Sequence, residues 1–420
     1  MTILTAHLLN IKYDVLIFPP LMAKTALKEV PTTKTYKIAV IQDRPSQLDS
    51  PLFRKIAQKP DMQVVVYYLD PDNIERIYDP EILIEINKNL DLLAGYEYNI
   101  IPRNPFSRFR LIKHIIRSNF DIILISGYRS LTKLYIAYKC QRSKKAIGLR
   151  SDTISTYKMS KWKEWLKPIF LKFVYKLYTS GHPTGLLAKE YMKVHGFKEN
   201  RLFFHPYTSD YEYLERLYED AVNRRVEIRS RLRISQEAFT VLGILKFVHR
   251  EDPMSLLKSF SLLTKSVPHA HLVLVGDGIL RPAIENYVYN SQLNNVHLPG
   301  FVLYEELPKY FAVADVYVHP ARIEPWGVTL NEAMVCMCPV VSADTVGSSK
   351  DLILEGETGF IFQSGNTEQL SSILLKLSKN KELRFLVAKQ ARAHIEKFSN
   401  DFICTELKRA IDTTDQHAAI

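Results

Sequence analysis

Short apolar runs rich in β-branched residues return at intervals along this chain, each followed by a stretch whose apolar positions recur at helical spacing. Residues 36–42 (YKIAVIQ) form the first run and residues 63–69 (QVVVYYL) the second, and residues 121–125 (DIILI) and 145–149 follow. The centres of these runs are apolar on both sides, which fits parallel strands covered by helices on two faces. Strands that alternate with helices leave a doubly wound α/β sheet as the architecture. At residue 240 the pattern starts again. Residues 240–245 (TVLGIL), 271–275, 295–298, 315–319 and 339–342 read as strands, with helices at 253–266, 304–314 and 330–336 between them.

The chain therefore divides into two Rossmann-like domains, at residues 1–225 and 226–395. Residues 211–235, polar and rich in arginine, are expected to link them, and the last helix, in residues 396–420, to cross back to the first. A length of 420 residues suits two such cores. Two doubly wound sheets in tandem face a common cleft, and ligands of open α/β sheets bind at the carboxyl ends of the strands.

Charge is unevenly spread. Residues 101–200 hold 21 Lys/Arg against 5 Asp/Glu, a net +16, while the other segments lie near neutrality. A field concentrated in this way implies an anionic partner. Four cysteines, Cys140, Cys336, Cys338 and Cys404, match neither a zinc pattern nor a disulfide framework. They read as buried thiols in a reducing cytoplasm. No apolar run is long enough to span a bilayer, and the N-terminus lacks the parts of a secretory signal.

The segment that carries chemistry is residues 319–334, HPARIEPWGVTLNEAM. It reads as strand end, loop, then helix. Glu324 falls on the loop and Glu332 on the helix, eight positions on. Unpaired N–H groups at the helix start favour a diphosphate, and carboxylates accept from the paired hydroxyls of ribose and sugar.

On these residues the chain resembles the retaining GT-B glycosyltransferases of glycosyltransferase family four. Glu324 and Glu332 match the family's E-x7-E motif. The EAM-x-C-x-x-P-V-V run follows at 332–341, and a counterpart of G-G-x-x-E…G-x-x-G-F lies between Gly347 and Phe360. LVGDG (274–278) and HLPGFV (297–302) precede them in the family's order. The resemblance is strong over 238–395 and weak over 36–210. It implies a GT-B fold and transfer of a sugar from a UDP- or GDP-sugar to a hydroxyl, with retention. Glu324 would hold donor-sugar hydroxyls and Glu332 the ribose. Gly276, Pro325, Trp326, Gly327, Val328, Thr329 and Leu330 would surround the diphosphate and sugar, and Phe301 and Val302 the base. No metal or other cofactor is expected, because the sequence has no Asp-x-Asp placed to hold Mg²⁺.

Two departures stand out. Lys246 fits the first of the family's two phosphate-binding cations, but Glu251 occupies the second position. Arg250, one residue earlier, is expected to supply the charge while Glu251 faces away. After the strand at 145–149, where many relatives place a histidine, the chain has Arg150, Ser151 and Asp152. Arg150 is a candidate to stabilise the leaving phosphate and Asp152 to orient the acceptor, or Asp152 is a helix cap. His182 is a second candidate for the cleft, or a structural histidine. These departures keep open a catalytically degraded nucleotide-sugar-binding partner or sensor.

Within the basic block, residues 157–178 interleave lysines with aromatics. Lys158, Lys161, Trp162, Lys163, Trp165 and Lys167 read as contacts to an anionic membrane surface, helped by residues 105–120. An ordinary amphipathic helix with a basic outer face is the alternative. The expected setting is cytoplasmic and peripheral, on the inner face of a membrane. The acceptor would be lipid-linked if the chain docks there and soluble otherwise, and nucleic acid is not expected as a partner.

Overall fold

In the computed structural model, residues 34–70, 76–79, 84–87, 91–154 and 161–418 are described. In chain order the first strands are Tyr36–Gln42 (β1), Met62–Tyr68 (β2), Arg76–Asp79 (β3), Ile84–Asn87 (β4), Glu97–Ile100 (β5), Ile122–Ser126 (β6), Ile147–Ser151 (β7) and Ser180–Pro183 (β8). They are followed by Thr240–Ile244 (β9), His271–Val275 (β10), Val296–Gly300 (β11), Val316–His319 (β12), Val340–Ala343 (β13) and Phe360–Phe362 (β14). One parallel sheet has the order β5-β2-β1-β6-β7-β8 and the other β11-β10-β9-β12-β13-β14, while β3 and β4 form a separate hairpin. Both sheets run outward from their first strand in one direction and then, after a reversal, in the other. Two such domains across a cleft are the GT-B architecture.

Nine of the strands coincide with the apolar runs to within two or three residues at each end. Three strands of the main sheets were not expected. β5 (EYNI) is an exposed, polar edge strand, β14 (FIF) is three residues long, and β8 (SGHP) has the composition of a turn. β8 is nonetheless buried in every residue, so His182 lies within a strand rather than after one.

Alternation along β1 shows why its centre is apolar. Ile38 and Val40 enter one core cluster and Ala39 and Ile41 another, so both faces of the sheet are covered. On the first face, Leu52, Phe53 and Ile56 of the helix Ser50–Gln58 meet Ile403, Leu407 and Ile411 of the last helix, Asn400–Ala418. The last helix therefore completes the first domain's core although it follows the second domain in sequence. Its charged positions hold it too, with Lys59 pairing with Asp401 at 2.6 Å and Lys408 with Asp61 at 2.5 Å.

Residues 211–235 are not a solvated linker. Two helices, Tyr211–Asn223 and Arg225–Arg231, occupy them, and Tyr211 and Leu214 join the second domain's core. Arg229 is buried, donates to Thr240 Oγ1 at 2.6 Å and lies 3.8 Å from Asp315. Tyr211, Leu214, Tyr218 and Ala221 lie on one helical face, a periodicity that the charged residues between them obscure.

Polar contacts join the domains near the cleft. The N–H of Leu186 donates to both oxygens of Asp351 at 3.0 and 3.2 Å. The Asn331 amide donates to the Tyr207 carbonyl at 3.2 Å and the Tyr211 hydroxyl at 2.9 Å.

Because Leu407 is 1% exposed within the first domain's core, Leu407→Ala is expected to lower stability by about 2–5 kcal/mol. Urea unfolding measures it. A loss below about 1 kcal/mol would show that the last helix does not complete that core.

Candidate functional site

Where the strand order reverses, the loops after β1 and β6 diverge, as do those after β9 and β12. The charged site residues sit on these loops, and the loops after β10 and β11 add to the lining. A cavity of about 650 Å³ lies between the domains. Residues 44–48, after β1, form its wall on the first-domain side. The second domain contributes Lys246, Arg250 and Glu251 after β9, Gly276 after β10, and Phe301 and Val302 after β11. After β12 come His319, Glu324, Gly327, Val328 and Thr329.

Two of these positions require glycine. Gly276 has φ +135°, and a Cβ there would come within 1.7 Å of the Leu245 carbonyl oxygen. Gly327 has φ +86° and opens the helix Val328–Val335, in which Leu330 N–H donates back to the Gly327 carbonyl at 3.0 Å while the first two N–H groups, of Val328 and Thr329, precede any intrahelical acceptor. The positive end of that helix faces the cavity on the same wall as Lys246 and Arg250, an arrangement suited to an anion.

Arg250 bridges the site's two carboxylates. Its guanidinium donates to Glu324 Oε2 at 3.1 Å and lies 2.9 Å from Glu251 Oε1. Contrary to the sequence expectation, Glu251 does not face away. It lines the cavity, and its other oxygen accepts the Lys246 N–H at 2.6 Å. The physical reason is local: the carboxylate is held by a backbone donor and by the neighbouring arginine, which together offset its desolvation. Burial still pushes its pKa up to about 7, against the pull of Arg250.

Glu332 does not line this cavity. It is 1% exposed, on the inner side of the helix Val328–Val335, and burial pushes its pKa up to about 8. Trp326 and Leu330 are likewise buried, with the Trp326 indole N–H donating to Asn331 Oδ1 at 3.1 Å. The motif's eight-residue spacing thus delivers one carboxylate to the cavity and one behind its wall.

A second cavity, of about 1160 Å³, is lined by Asp43 and Pro325, the chain neighbours of Arg44 and Glu324 in the first. Asp152 lines it and accepts from the Tyr207 hydroxyl at 3.1 Å. Arg150 lines neither cavity. It is 7% exposed, pairs with Asp49 and lies 4.8 Å from the Tyr207 ring centre. Arg150 therefore organises the Asp49–Tyr207–Asp152 group from behind. His182 is fully buried, 3.0 Å from Ser180 Oγ, and also lines neither cavity. Sequence reasoning missed Arg129 and Lys133, which do line the second cavity. Their signal was positional, since both follow β6 at the first sheet's switch point.

Of the residues read as membrane contacts, Lys158 lies outside the described residues. Lys161, Trp162 and Lys163 fall in the helix Lys161–Tyr175, where their side chains are outside the described residues. In the same helix Trp165 is 70% exposed, and Lys167 lies over the Tyr191 ring at 5.1 Å and lines the second cavity. All four cysteines are free and buried.

Residues 224–394 match the family Glycosyl transferases group 1. An uncharacterized glycosyltransferase of Methanocaldococcus jannaschii is 31% identical over 126 residues, 30% of this chain and 36% of that protein. The poly(glycerol-phosphate) alpha-glucosyltransferase of Bacillus subtilis is 26% identical over 169 residues, 40% of this chain and 25% of that protein. The chain thus spans between a quarter and little more than a third of these relatives' length. The structure of Anabaena HepE in complex with UDP superposes with a TM-score of 0.68 at 16% identity, covering 90% of this chain and 99% of HepE. That likeness shows the shared GT-B fold.

The buried carboxyls give a pH signature. In the unfolded chain Glu332 titrates near 4.3, and in the folded protein near 8. Folding therefore takes up a proton between these values. The contribution to stability is fully present below about 4.3 and is lost as pH rises through about 8. Buried histidines such as His319, whose pKa burial lowers to about 4, act in the opposite sense below pH 6.5. The difference between wild type and Glu332→Gln isolates the carboxyl. Wild type should lose stability relative to the variant between pH 5 and 8, by up to about 1.4 kcal/mol per pH unit. Parallel urea-unfolding curves across that range would contradict the assignment.

Proposed function

We propose that this chain transfers a sugar from a nucleotide-diphosphate sugar to a hydroxyl acceptor, with retention of anomeric configuration. One observation carries the reading. A single cavity at the second sheet's switch point combines Lys246, Arg250 and a helix N-terminus with Glu324. The cations and N–H groups suit a diphosphate, and the carboxylate suits sugar hydroxyls beside it.

The shared arginine suggests how binding and sugar recognition are coupled. Arg250 is shared between Glu251 and Glu324. A diphosphate competes for the guanidinium with a higher charge, which releases Glu324 to accept from the sugar. The phosphate oxygens would then take the acceptor's proton on the face that the leaving group vacates. This route to retention needs no protein nucleophile. Lys246, Arg250 and the helix N–H groups supply the charge that a metal otherwise brings to a diphosphate, and activity is expected to persist in EDTA.

The acceptor would enter the second cavity, whose lining residue Pro325 directly follows Glu324 of the first. Its lining holds three cations against two carboxylates: Lys133 pairs with Asp43 at 2.8 Å, Asp152 is held by Tyr207, and Arg129 and Lys167 have no carboxylate partner among the described residues. A net basic lining suits an anionic acceptor, and the Bacillus relative is named for poly(glycerol phosphate), a polyanion. Leu166 and Phe170 also line the cavity, and they continue outward into exposed Trp165, Ile169 and Phe173 on the same helix. Phe106 and Phe109 are exposed on the helix Pro105–Arg117. Exposed aromatics within a basic block favour peripheral docking on an anionic bilayer, on its cytoplasmic face, and with it a lipid-linked acceptor. No helix of the described residues is long and apolar enough to cross a membrane.

A second reading, a nucleotide-sugar sensor without turnover, is favoured by Glu251 holding Arg250 and by Arg150 lying behind the cavity wall.

Two experiments test these readings. Glu324→Ala should bind UDP or GDP at least as tightly as wild type, because Arg250 loses a competitor, yet turn over at least about a hundredfold more slowly. Calorimetry and a transfer assay decide it, and undiminished turnover would end the assignment. Binding by wild type without any transfer would favour the sensor. For the membrane, wild type should sediment with anionic vesicles at low salt and leave them at high salt. A variant with Lys158, Lys161, Lys163 and Lys167 changed to Glu should stay in solution. Wild type that ignores such vesicles at low salt points to a soluble acceptor.

A further inference from the structure

His319 opens the segment that carries the chemistry, and the mechanism above leaves it unused. It ends β12, is 4% exposed and lines the first cavity. Its two ring nitrogens differ. Nδ1 lies 2.8 Å from the Tyr317 hydroxyl and 3.3 Å from Thr329 Oγ1. Nε2 is buried and has no hydrogen-bond partner. A buried polar atom left unpaired in a native fold calls for an explanation, and a ligand absent from the structure is one.

The position of Nε2 narrows the ligand. A Cβ built on Gly327 would come within 3.3 Å of Nε2 and 3.4 Å of Glu324 Cγ. The nitrogen therefore sits beneath the residue that opens the helix Val328–Val335, between its first N–H groups and the carboxylate assigned to the sugar. The residues assigned to the base, Phe301 and Val302, are on the loop after β11. The diphosphate is the part of the donor that lies at the helix start.

The hydroxyl network admits both tautomers. With Tyr317 donating to Thr329 Oγ1 at 2.7 Å, Nδ1–H donates to the Tyr317 hydroxyl at 2.8 Å; with the Tyr317 proton turned to Nδ1 instead, the ring proton sits on Nε2. An anion at Nε2 selects the second. Burial and the charge of Arg250 lower the imidazole's pKa to about 4, so near neutral pH the ring is uncharged and donates through one nitrogen.

We propose that His319 is a donor-binding residue whose Nε2–H donates to the diphosphate of the nucleotide sugar. The assignment rests on the donor reading above and adds a residue to it. It makes β12 itself part of the phosphate site, with Tyr317 and Thr329 as positioning residues that fix the ring.

Side-chain amides separate the two nitrogens. In His319→Gln the amide nitrogen reaches the place of Nε2, and in His319→Asn the place of Nδ1. The full chain is titrated calorimetrically with UDP and GDP, and with UMP and GMP, which lack the β-phosphate. Whichever diphosphate wild type binds should bind His319→Gln within about threefold, and His319→Asn and His319→Ala about tenfold more weakly. The monophosphates should bind all four proteins alike. Thermal melts establish that each variant is folded. Wild-type affinity in a folded His319→Asn overturns the proposal, as does a monophosphate affinity that falls in step with the diphosphate, since either marks a structural role through Nδ1. If wild type binds neither UDP nor GDP, the donor reading fails and this assignment fails with it.

Discussion

In a parallel sheet every strand ends on the same edge, so every loop that follows a strand is delivered to one side of the domain. In each of these sheets the order reverses between its first strand and its fourth in chain order, and the two loops flanking that reversal turn away from each other and leave a crevice. Everything proposed for this protein depends on that constraint. Lys246, Arg250 and Glu251 follow β9, Glu324 and Gly327 follow β12, and these two strands are neighbours. Residues more than seventy positions apart come within hydrogen-bonding distance because adjacent parallel strands end together. The first sheet does the same with the loops after β1 and β6, which bring Asp43 to Lys133.

The crevice also explains the site's electrostatics. Three ionisable side chains, Arg250, Glu251 and Glu324, share a partly dry cavity wall. Each would be costly there alone, and each is tolerated because the arginine serves both carboxylates. The arginine thus comes close to neutralising the wall from within, and on the donor reading proposed above an incoming dianion would compete with both carboxylates for it. Glu332, one layer deeper, has no such partner, and burial keeps it protonated near neutral pH.

The first domain is held by a different device. The helix Asn400–Ala418, last in sequence, covers the face of a sheet whose first strand begins near residue 36. The chain thus closes the first domain only after the second has been traversed. Together with the Leu186–Asp351 and Asn331–Tyr207 contacts, this ties the two sheets into a single compact unit.

Much of this was legible in the residues themselves. Buried parallel strands must be apolar on both faces, so β1, β9, β10 and β12 announce themselves in YKIAVIQ, TVLGIL, HLVLV and VYVH. Edge strands carry no such obligation, and β5 was invisible for that reason. The helix Tyr211–Asn223 was hidden because its apolar face is a thin stripe among charges. At the site, the strand–loop–helix reading pointed to Glu324 and to the glycine that opens the helix Val328–Val335, and the family resemblance added Lys246 and Arg250; all four line the cavity. What the sequence by itself determined was the alternation of elements and the chemistry available at their ends. Only the tertiary structure decided that Glu332 lies behind the wall, that Glu251 clasps Arg250, that Arg150 is spent on Asp49, and that one nitrogen of His319 is left bare. Those outcomes depend on which side chains distant in sequence arrive at the same place, and spacing along a chain carries no record of that.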